Sequence, residues 1–259
     1  MFEYILWSVE NGVARITLNR PSVFNSMHHA MRQEVLAALD LCRNGDAIRA
    51  VYLTGAGRAF CAGQDLQEVV DPNGPALHDI LASGYNPMVR AIRNLEKPIV
   101  CAVNGVAAGA GANIAFACDI TVAAASASFT QAFSKIGLIP DSGGTWTLPR
   151  LVGLQRATAL MMLSDKISAE EAASMGLIWK VFPDDTFAQE SLRLAETLAQ
   201  MPTRALGMTK RALNRAFSND FNAQLALEDD LQTQAGQTYD YQEGVAAFLE
   251  KRKPAFRGE

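Results

Sequence analysis

Two glycine-rich segments and one aspartate are the parts of this sequence whose spacing could perform chemistry. The segments are residues 55–66, GAGRAFCAGQDL, and residues 103–113, VNGVAAGAGAN, and the aspartate is Asp141 in the run GLIPDSGGT of residues 137–145. Glycine turns and helix starts leave backbone N–H groups without internal partners, so each segment could present one to a negatively charged oxygen. Two such donors and one carboxylate base suit enolate chemistry, in which the donors stabilise the oxyanion and the base moves a proton at the neighbouring carbon.

The elements that must position these residues alternate between strands and helices in the first half of the chain. Short apolar runs at 50–54 and 98–103 predict buried strands, and each leads directly into a glycine segment. A third such run lies at 120–123. Further predictions in this half are a hairpin of strands 2–9 and 13–18, helices over 27–41 and 88–95, and an Asp65–Glu68 capping box that opens another helix.

The second half is predicted to be mostly helical, because its apolar residues recur at helical spacing. A second capping box is predicted at Ser168–Glu171. We place a soft boundary near residue 200, with a core over 1–200 and a helical oligomerisation region over 201–259, because terminal helices with small apolar faces often pack on a neighbour. The predicted helices span residues 184–201, 203–217, 221–235 and 241–252.

Composition excludes several classes of protein. The chain has 259 residues, 49% of them hydrophobic, and a net charge of −4, which argues against a nucleic-acid-binding protein. It shows neither a signal-peptide pattern nor an apolar run of about 18 residues, so we expect a cytoplasmic protein without membrane spans. The cysteines have mostly apolar flanks and form no C-x-x-C pair, and the few histidines predict no metal site. These residues are Cys42, Cys61, Cys101, Cys118, His28, His29 and His78.

Several motifs together resemble the crotonase (enoyl-CoA hydratase/isomerase) superfamily, and the similarity covers nearly the whole chain. They are GRAFCAGQDL at 57–66, Lys97-Pro98, the run from Asn104-Gly105 to Gly109-Ala-Gly111, CDI at 118–120, GLIP at 137–140, GGT at 143–145 and SAEEA at 168–172. The resemblance implies an α/β fold, a spiral of ββα units with a C-terminal helical trimerisation region. It also implies a homotrimer or a dimer of trimers, and no cofactor beyond the CoA of the substrate.

The resemblance also implies an acyl-CoA substrate and assigns roles to residues. The thioester oxygen would lie between the backbone N–H groups of Ala62 and Ala110. The CoA arm would pass the backbone of Gln64, Asp65 and Leu66.

Two positions depart from the hydratase pattern. The family's hydratases carry glutamates where this chain has Asn113 and Phe133, and neither residue can act as a general base. Asp141 remains, at the position where several isomerase branches keep their acid/base residue. We therefore predict an isomerase that works through an enolate, with Asn113 and Phe133 lining the substrate pocket. The similarity further implies conversion of the ring epoxide of phenylacetyl-CoA to an oxepin, as in phenylacetate catabolism.

The residues by themselves leave other interpretations open. Ala62 and Ala110 could serve only to pack tight turns, and Asp141 could cap a helix over 143–151. Asn113 could face the cavity or be a buried amide bonded to backbone. Asp65 is better explained as a helix cap than as a catalytic group.

Three activities stay under consideration. A hydratase or a simple Δ3-Δ2-enoyl-CoA isomerase of β-oxidation is the alternative to the ring-epoxide isomerase. A non-catalytic acyl-CoA-binding subunit is a distant third, because it would leave Asp141 without a proton to move.

Overall fold

The computed structural model describes residues 2–259 as an α/β protein with two sheets. In chain order, the strands are β1 (Ile5–Glu10), β2 (Val13–Leu18), β3 (Ala50–Gly55), β4 (Ala59–Cys61), β5 (Ile99–Val103), β6 (Val106–Ala108), β7 (Ile120–Ala124), β8 (Ser128–Thr130), β9 (Ile167–Ser168) and β10 (Lys180–Phe182). The helices are α1 (His29–Asn44), α2 (Leu66–Val70), α3 (Leu77–Ile80), α4 (Asn86–Asn94), α5 (Ala110–Ala117), α6 (Gly144–Val152), α7 (Leu154–Leu163), α8 (Ala169–Ser174), α9 (Phe187–Ala199), α10 (Thr203–Ala216), α11 (Phe221–Ala235) and α12 (Tyr239–Leu249).

The larger sheet has the strand order β1-β2-β3-β5-β7-β10, and the smaller one has the order β4-β6-β8-β9. All neighbours pair in parallel except β1 with β2 and β8 with β9. Every residue of β5 is buried, as expected for a central parallel strand that is covered on both faces. The α/β class and the strands predicted around residues 50–54, 98–103 and 120–123 are confirmed.

The N-terminal hairpin forms as predicted, although β1 begins only at Ile5. Asn11 and Gly12 have φ angles of 51° and 77°, and positive φ at both turn residues is the geometry that suits the twist of a two-residue hairpin. The helix predicted over 27–41 begins instead at His29, because the His28 imidazole caps it by accepting the Met31 N–H at 3.2 Å.

One predicted capping box is confirmed and the other is wrong. Ser168 and Glu171 cap α8 reciprocally. Asp65 caps α2 by accepting the Gln67 N–H at 3.0 Å, but the Glu68 carboxylate turns away from the cap to bond Arg32. The competing partner is a buried cation from α1, which no local pattern reveals.

The smaller sheet is the main element that the sequence patterns missed. Its strands have only two or three residues each, too few for an alternating pattern to be recognised. One of them, β6, lies inside the second glycine segment, and β4 lies inside the first. The smaller sheet therefore determines how the two segments meet.

Four helices, α9 to α12, follow the last strand, as predicted. Arg49, which precedes β3, ties their region to the sheet by donating to the Met201 and Phe256 carbonyls at 2.6 and 2.8 Å. The division at residue 200 remains a prediction. Within residues 2–259, no helix combines the length and the apolar character needed to cross a membrane.

Lys210 of α10 anchors the helical region to the larger sheet. Lys210 is 8% exposed, and its ammonium donates to the Asp119 carboxylate at 2.7 Å and to the Ile92 carbonyl at 2.8 Å. The lysine is enclosed because Asp119, just before β7, lies beneath α10.

We expect Lys210→Met to lower the free energy of unfolding by about 3 kcal/mol, because it leaves the Asp119 carboxylate without its cation. Urea titration followed by circular dichroism measures this loss. Arg211→Met is the matched control, since Arg211 and Glu96 form an exposed pair in which removal costs less than about 1 kcal/mol. Equal effects of the two substitutions would contradict the assignment of Lys210 as the anchor.

Candidate active site

The pairing of β4 with β6 brings the two glycine segments side by side. The two strands are parallel, with Ala59 opposite Val106 and Cys61 opposite Ala107. Just beyond them, a Cβ on Gly63 would lie 2.9 Å from the Ala108 carbonyl oxygen and 3.4 Å from the Ala110 nitrogen. Gly63 also has a φ of +93°, which only glycine adopts readily. This position therefore needs glycine both for its conformation and for the close approach of two backbones.

The structure contradicts the assignment of Ala62 as an oxyanion donor. Its N–H donates to the Phe24 carbonyl at 2.9 Å, so it is not available to a ligand. Met27 pairs with Gln64, two residues after Ala62: the Met27 N–H donates to the Gly63 carbonyl, and the Met27 carbonyl accepts the Asp65 N–H. Because the N–H groups of successive residues in extended backbone alternate in direction, the Gln64 N–H points away from Met27. That N–H finds no acceptor among residues 2–259.

Ala110 keeps the position that the resemblance implies. It is the first residue of α5, so its N–H has no acceptor within the helix, and none occurs elsewhere among the described residues. The positive end of the helix dipole lies at the same point and favours an anion. The Gln64 and Ala110 N–H groups, on adjoining backbones, are the pair that could hold one negatively charged oxygen.

Asp141 lies in the loop between β8 and α6 and is not a helix cap. Its backbone carbonyl accepts the Gly144 N–H at 2.8 Å, whereas Gly143 occupies the cap position of α6. Burial raises the pKa of the Asp141 carboxyl, and the Ser142 hydroxyl opposes this by donating to it at 2.8 Å. A half-buried carboxylate with a raised pKa is suited to accept a proton from carbon.

Asn113 links α5 to the Asp141 loop. It is fully buried, its amide donates to the Asp141 carbonyl at 2.9 Å, and its amide oxygen accepts from Gln131 at 3.0 Å. Of the two interpretations of Asn113, the buried amide bonded to backbone is confirmed. The backbone that it holds belongs to the candidate base.

Phe133 places an apolar ring against the start of α5. Its side chain is buried, and its Cζ atom is 3.7 Å from the point where a Cβ of Gly109 would lie. The ring is therefore adjacent to Ala110, but it can exchange no proton. Cys61 lies nearby, and burial raises the pKa of its thiol to about 12, so it remains a neutral packing group.

The segment predicted to contact CoA is held by side-chain pairs on its inner side. Asp65 is 8% exposed and pairs with Arg20 at 2.8 Å, while the Gln64 amide oxygen accepts from Arg32 at 2.8 Å. Leu66 is 57% exposed at the start of α2. Its side chain lies on the outer surface beside the glycine segment.

The sequence patterns missed three residues that hold the site, and local signals for them are weak. Arg32 is fully buried, although a charged residue beside the apolar stripe of α1 would ordinarily be solvated. Gln131 belongs to none of the sequence motifs described above. Asn25 is buried and donates to the Ala56 and Ala59 carbonyls, which holds the first glycine segment in place.

Among residues 2–259, no group of three or more His, Cys, Asp or Glu side chains is placed to hold a metal ion. The four cysteines are free and buried, in agreement with their apolar flanks.

Two backbone donors near a half-buried carboxylate, on a two-sheet α/β fold, define a class of protein able to stabilise an enolate. The chain belongs to the enoyl-CoA hydratase/isomerase family, whose model matches residues 8–259. It is 51% identical to the 1,2-epoxyphenylacetyl-CoA isomerase of Escherichia coli strain K12 over 262 residues, with 100% of both chains covered. It is 49% identical, with 99% of each chain covered, to a Rhodobacter capsulatus protein named "Probable enoyl-CoA hydratase".

The solved structures agree with this family. An enoyl-CoA hydratase from Bacillus anthracis superposes with a TM-score of 0.93 at 33% identity, covering 99% of this chain and 100% of that one. The crotonase-like fold predicted from the motifs is therefore confirmed.

We expect Gly144→Ala to disturb the link between Asn113 and Asp141. A Cβ at this position would overlap the Asn113 amide nitrogen, so the fully buried amide must move. The free energy of unfolding should fall by about 2 kcal/mol, the usual cost of overpacking. Chemical denaturation measures the change. Gly236→Ala is the control, since its Cβ meets backbone oxygens only at 3.5 Å, and a similar loss there would contradict the explanation.

Proposed function

We propose that the protein is a CoA-thioester isomerase that works through an enolate. The observation that carries the proposal is Asp141, a half-buried carboxylate of raised pKa, held by Asn113 near the unpartnered N–H groups of Gln64 and Ala110. These are the two halves of enolate chemistry, a base for the proton and donors for the oxyanion. The 51% identity to an isomerase of a CoA thioester supports the same class.

The proposed substrate is 2-(1,2-epoxy-1,2-dihydrophenyl)acetyl-CoA and the product its oxepin isomer. The thioester oxygen accepts from Gln64 and Ala110, and the Asp141 carboxylate removes a proton from the carbon between the thioester and the ring. The electron pair moves toward the ring, and the carbon–carbon bond shared by the epoxide and the six-membered ring opens to give the seven-membered oxepin. The Asp141 carboxylic acid then returns the proton to a ring carbon.

Every atom and electron in this sequence stays within the substrate and Asp141, so the reaction needs no redox cofactor or metal ion. Losing one oxyanion donor would cost on the order of 3 kcal/mol of transition-state stabilisation. In this proposal the CoA arm runs along the Gln64–Leu66 backbone, Phe133 bounds the pocket around the reacting carbons, and Asn113 holds the Asp141 loop beside that pocket. The same groups would shift a double bond in a 3-enoyl-CoA.

We further propose that the helical region over residues 201–259 forms the contact between subunits of a homotrimer or a dimer of trimers. Large apolar side chains of this region are exposed in the single chain and would be covered by such a contact. They include Phe217, Phe221, Phe248 and Leu249, each at least 68% exposed. The cytoplasmic location stays a prediction.

The alternative function is hydration of an enoyl-CoA, which the 49% identical relative favours by its name. The residues argue against it. Asn113 and Phe133 supply no carboxylate to activate water, and the Asn113 side chain already forms hydrogen bonds with Asp141 and Gln131. Oxygen from ¹⁸O-labelled water in the product would support hydration, whereas isomerisation incorporates none.

Asp141→Asn should lower turnover by about 10²–10⁴-fold, because a carboxamide cannot take the proton. The measurement is ¹H NMR with a 3-enoyl-CoA in D₂O, in which the wild-type protein should introduce deuterium at C2 or C4 as the double bond migrates. Binding of the CoA thioester should be essentially unchanged. Asp185→Asn, at an exposed position, is the control. Near-wild-type turnover by the Asp141 variant would refute the mechanism and favour a binding subunit.

Isomerisation should weaken as the pH falls through the pKa of Asp141, because only the ionised carboxylate can act as the base. Ser142→Ala removes the hydroxyl that stabilises the ionised form, so the pKa of Asp141 rises and the acidic limb of kcat/KM moves to higher pH. The limb is obtained from initial rates across the pH range. Ser134→Ala, whose hydroxyl bonds Ser164 instead, should leave it in place. A limb that does not move in Ser142→Ala would assign the titration to another group.

A further inference from the structure

Tyr85 carries a buried hydroxyl that the protein itself leaves without a partner. The residue closes a π-helical turn, Leu81–Tyr85, and leads into α4. It is 1% exposed, and its Oη atom has no hydrogen-bond partner among residues 2–259. A buried hydroxyl in that state is costly, and such groups in native proteins usually have a ligand, water or functional reason.

The ring packs beside Arg32, on a helix face that leads toward the loop of the candidate base. On one side, the Arg32 guanidinium carbon is 5.3 Å from the ring centroid, and Arg32 holds the Gln64 amide oxygen. On the other side, Val89 lies one helical turn beyond Tyr85, and its Cγ1 atom is 3.4 Å from the point where a Cβ of Gly143 would lie. Residues four apart share a helix face, so Tyr85 and Val89 face the same way.

A tyrosine hydroxyl can donate and accept, and the proton of the Tyr85 hydroxyl has no acceptor among the described residues. Burial, chiefly, raises the pKa of Tyr85 well above its ordinary value, and the negative charge of the Asp141 carboxylate acts in the same direction. The hydroxyl therefore stays protonated and able to donate. Beneath the ring, the Arg32 Nε and Nη2 atoms are also buried without partners, and both are donors. Within the described part of the chain, Tyr85 and Arg32 together therefore present a group of unpaired buried donors.

We propose that Tyr85 is a specificity-determining residue whose hydroxyl donates a hydrogen bond to an oxygen on the acyl group of the bound CoA thioester, beside the carbon that loses its proton. The inference rests on the proposed function. In the ring epoxide, this acceptor is the bridging oxygen. A hydrocarbon acyl group leaves the hydroxyl unpaired, and a site with an unpaired buried polar group discriminates against such a ligand.

The test compares two stable ligands, 2-ethylphenylacetyl-CoA and 2-methoxyphenylacetyl-CoA, which have the same size and differ by an ether oxygen on the ring carbon next to the side chain. Isothermal titration of the wild-type protein should show about fivefold to tenfold tighter binding of the methoxy thioester, the value of one hydrogen bond. Tyr85→Phe keeps the ring and should bind both equally. Tyr52→Phe is the matched control, since Tyr52 is also buried but its hydroxyl already bonds Ser191 at 2.9 Å, and it should keep the wild-type preference.

Three results would overturn the proposal: no preference in the wild-type protein, a preference that survives in Tyr85→Phe, or equal weakening of both ligands by that substitution. The last would mark Tyr85 as a structural residue. The double-bond shift of a 3-enoyl-CoA separates this inference from the proposed function, since it requires Asp141 but not a ligand oxygen. Tyr85→Phe should retain that activity, and Asp141→Asn should lose it.

Discussion

The parallel pairing of β4 with β6 is the constraint on which the candidate site depends. It places two backbones in contact where the strands end, and Gly63 permits the contact because it has no side chain to fill the gap. Met27 pairs with residues 63–65 and so orients their backbone, and the Gln64 N–H points away from Met27. A donor is thus positioned by backbone geometry alone, which is more rigid than any side chain on a loop.

Helix α5 couples that donor to the candidate base. Its first residue, Ala110, offers the second N–H, and Asn113, three residues later on the same face, holds the Asp141 carbonyl. One turn of a fully buried helix therefore sets the separation between the candidate oxyanion donor Ala110 and the loop of the candidate base. The position that the resemblance assigns to a hydratase glutamate here holds the backbone of that candidate base.

A buried polar network supports the other donor. Arg32, with no exposed surface, bonds Gln64 and Glu68, and although burial acts to raise the pKa of Glu68, the hydrogen bonds from Arg32, Gln64 and the His29 N–H hold it below its ordinary value. Buried ion pairs often add little to stability because desolvation offsets their attraction. Here the network holds α1 and the Gln64 segment in one arrangement and leaves the Tyr85 ring above the guanidinium.

The sequence alone determined the α/β class, the N-terminal hairpin, the buried strands and the terminal helices, because apolar periodicity and turn residues report burial and local geometry. Motif spacing also singled out Asp141 and Ala110 as candidate site residues. Only the tertiary structure decided that Gln64, and not Ala62, has the available N–H, because the direction of an N–H depends on which distant backbone pairs with the strand. Here the pairing backbone is that of Phe24 and Met27, which are distant in the sequence. For the same reason, the roles of Asn113, Arg32 and Tyr85 emerged only once their partners from other elements were in place.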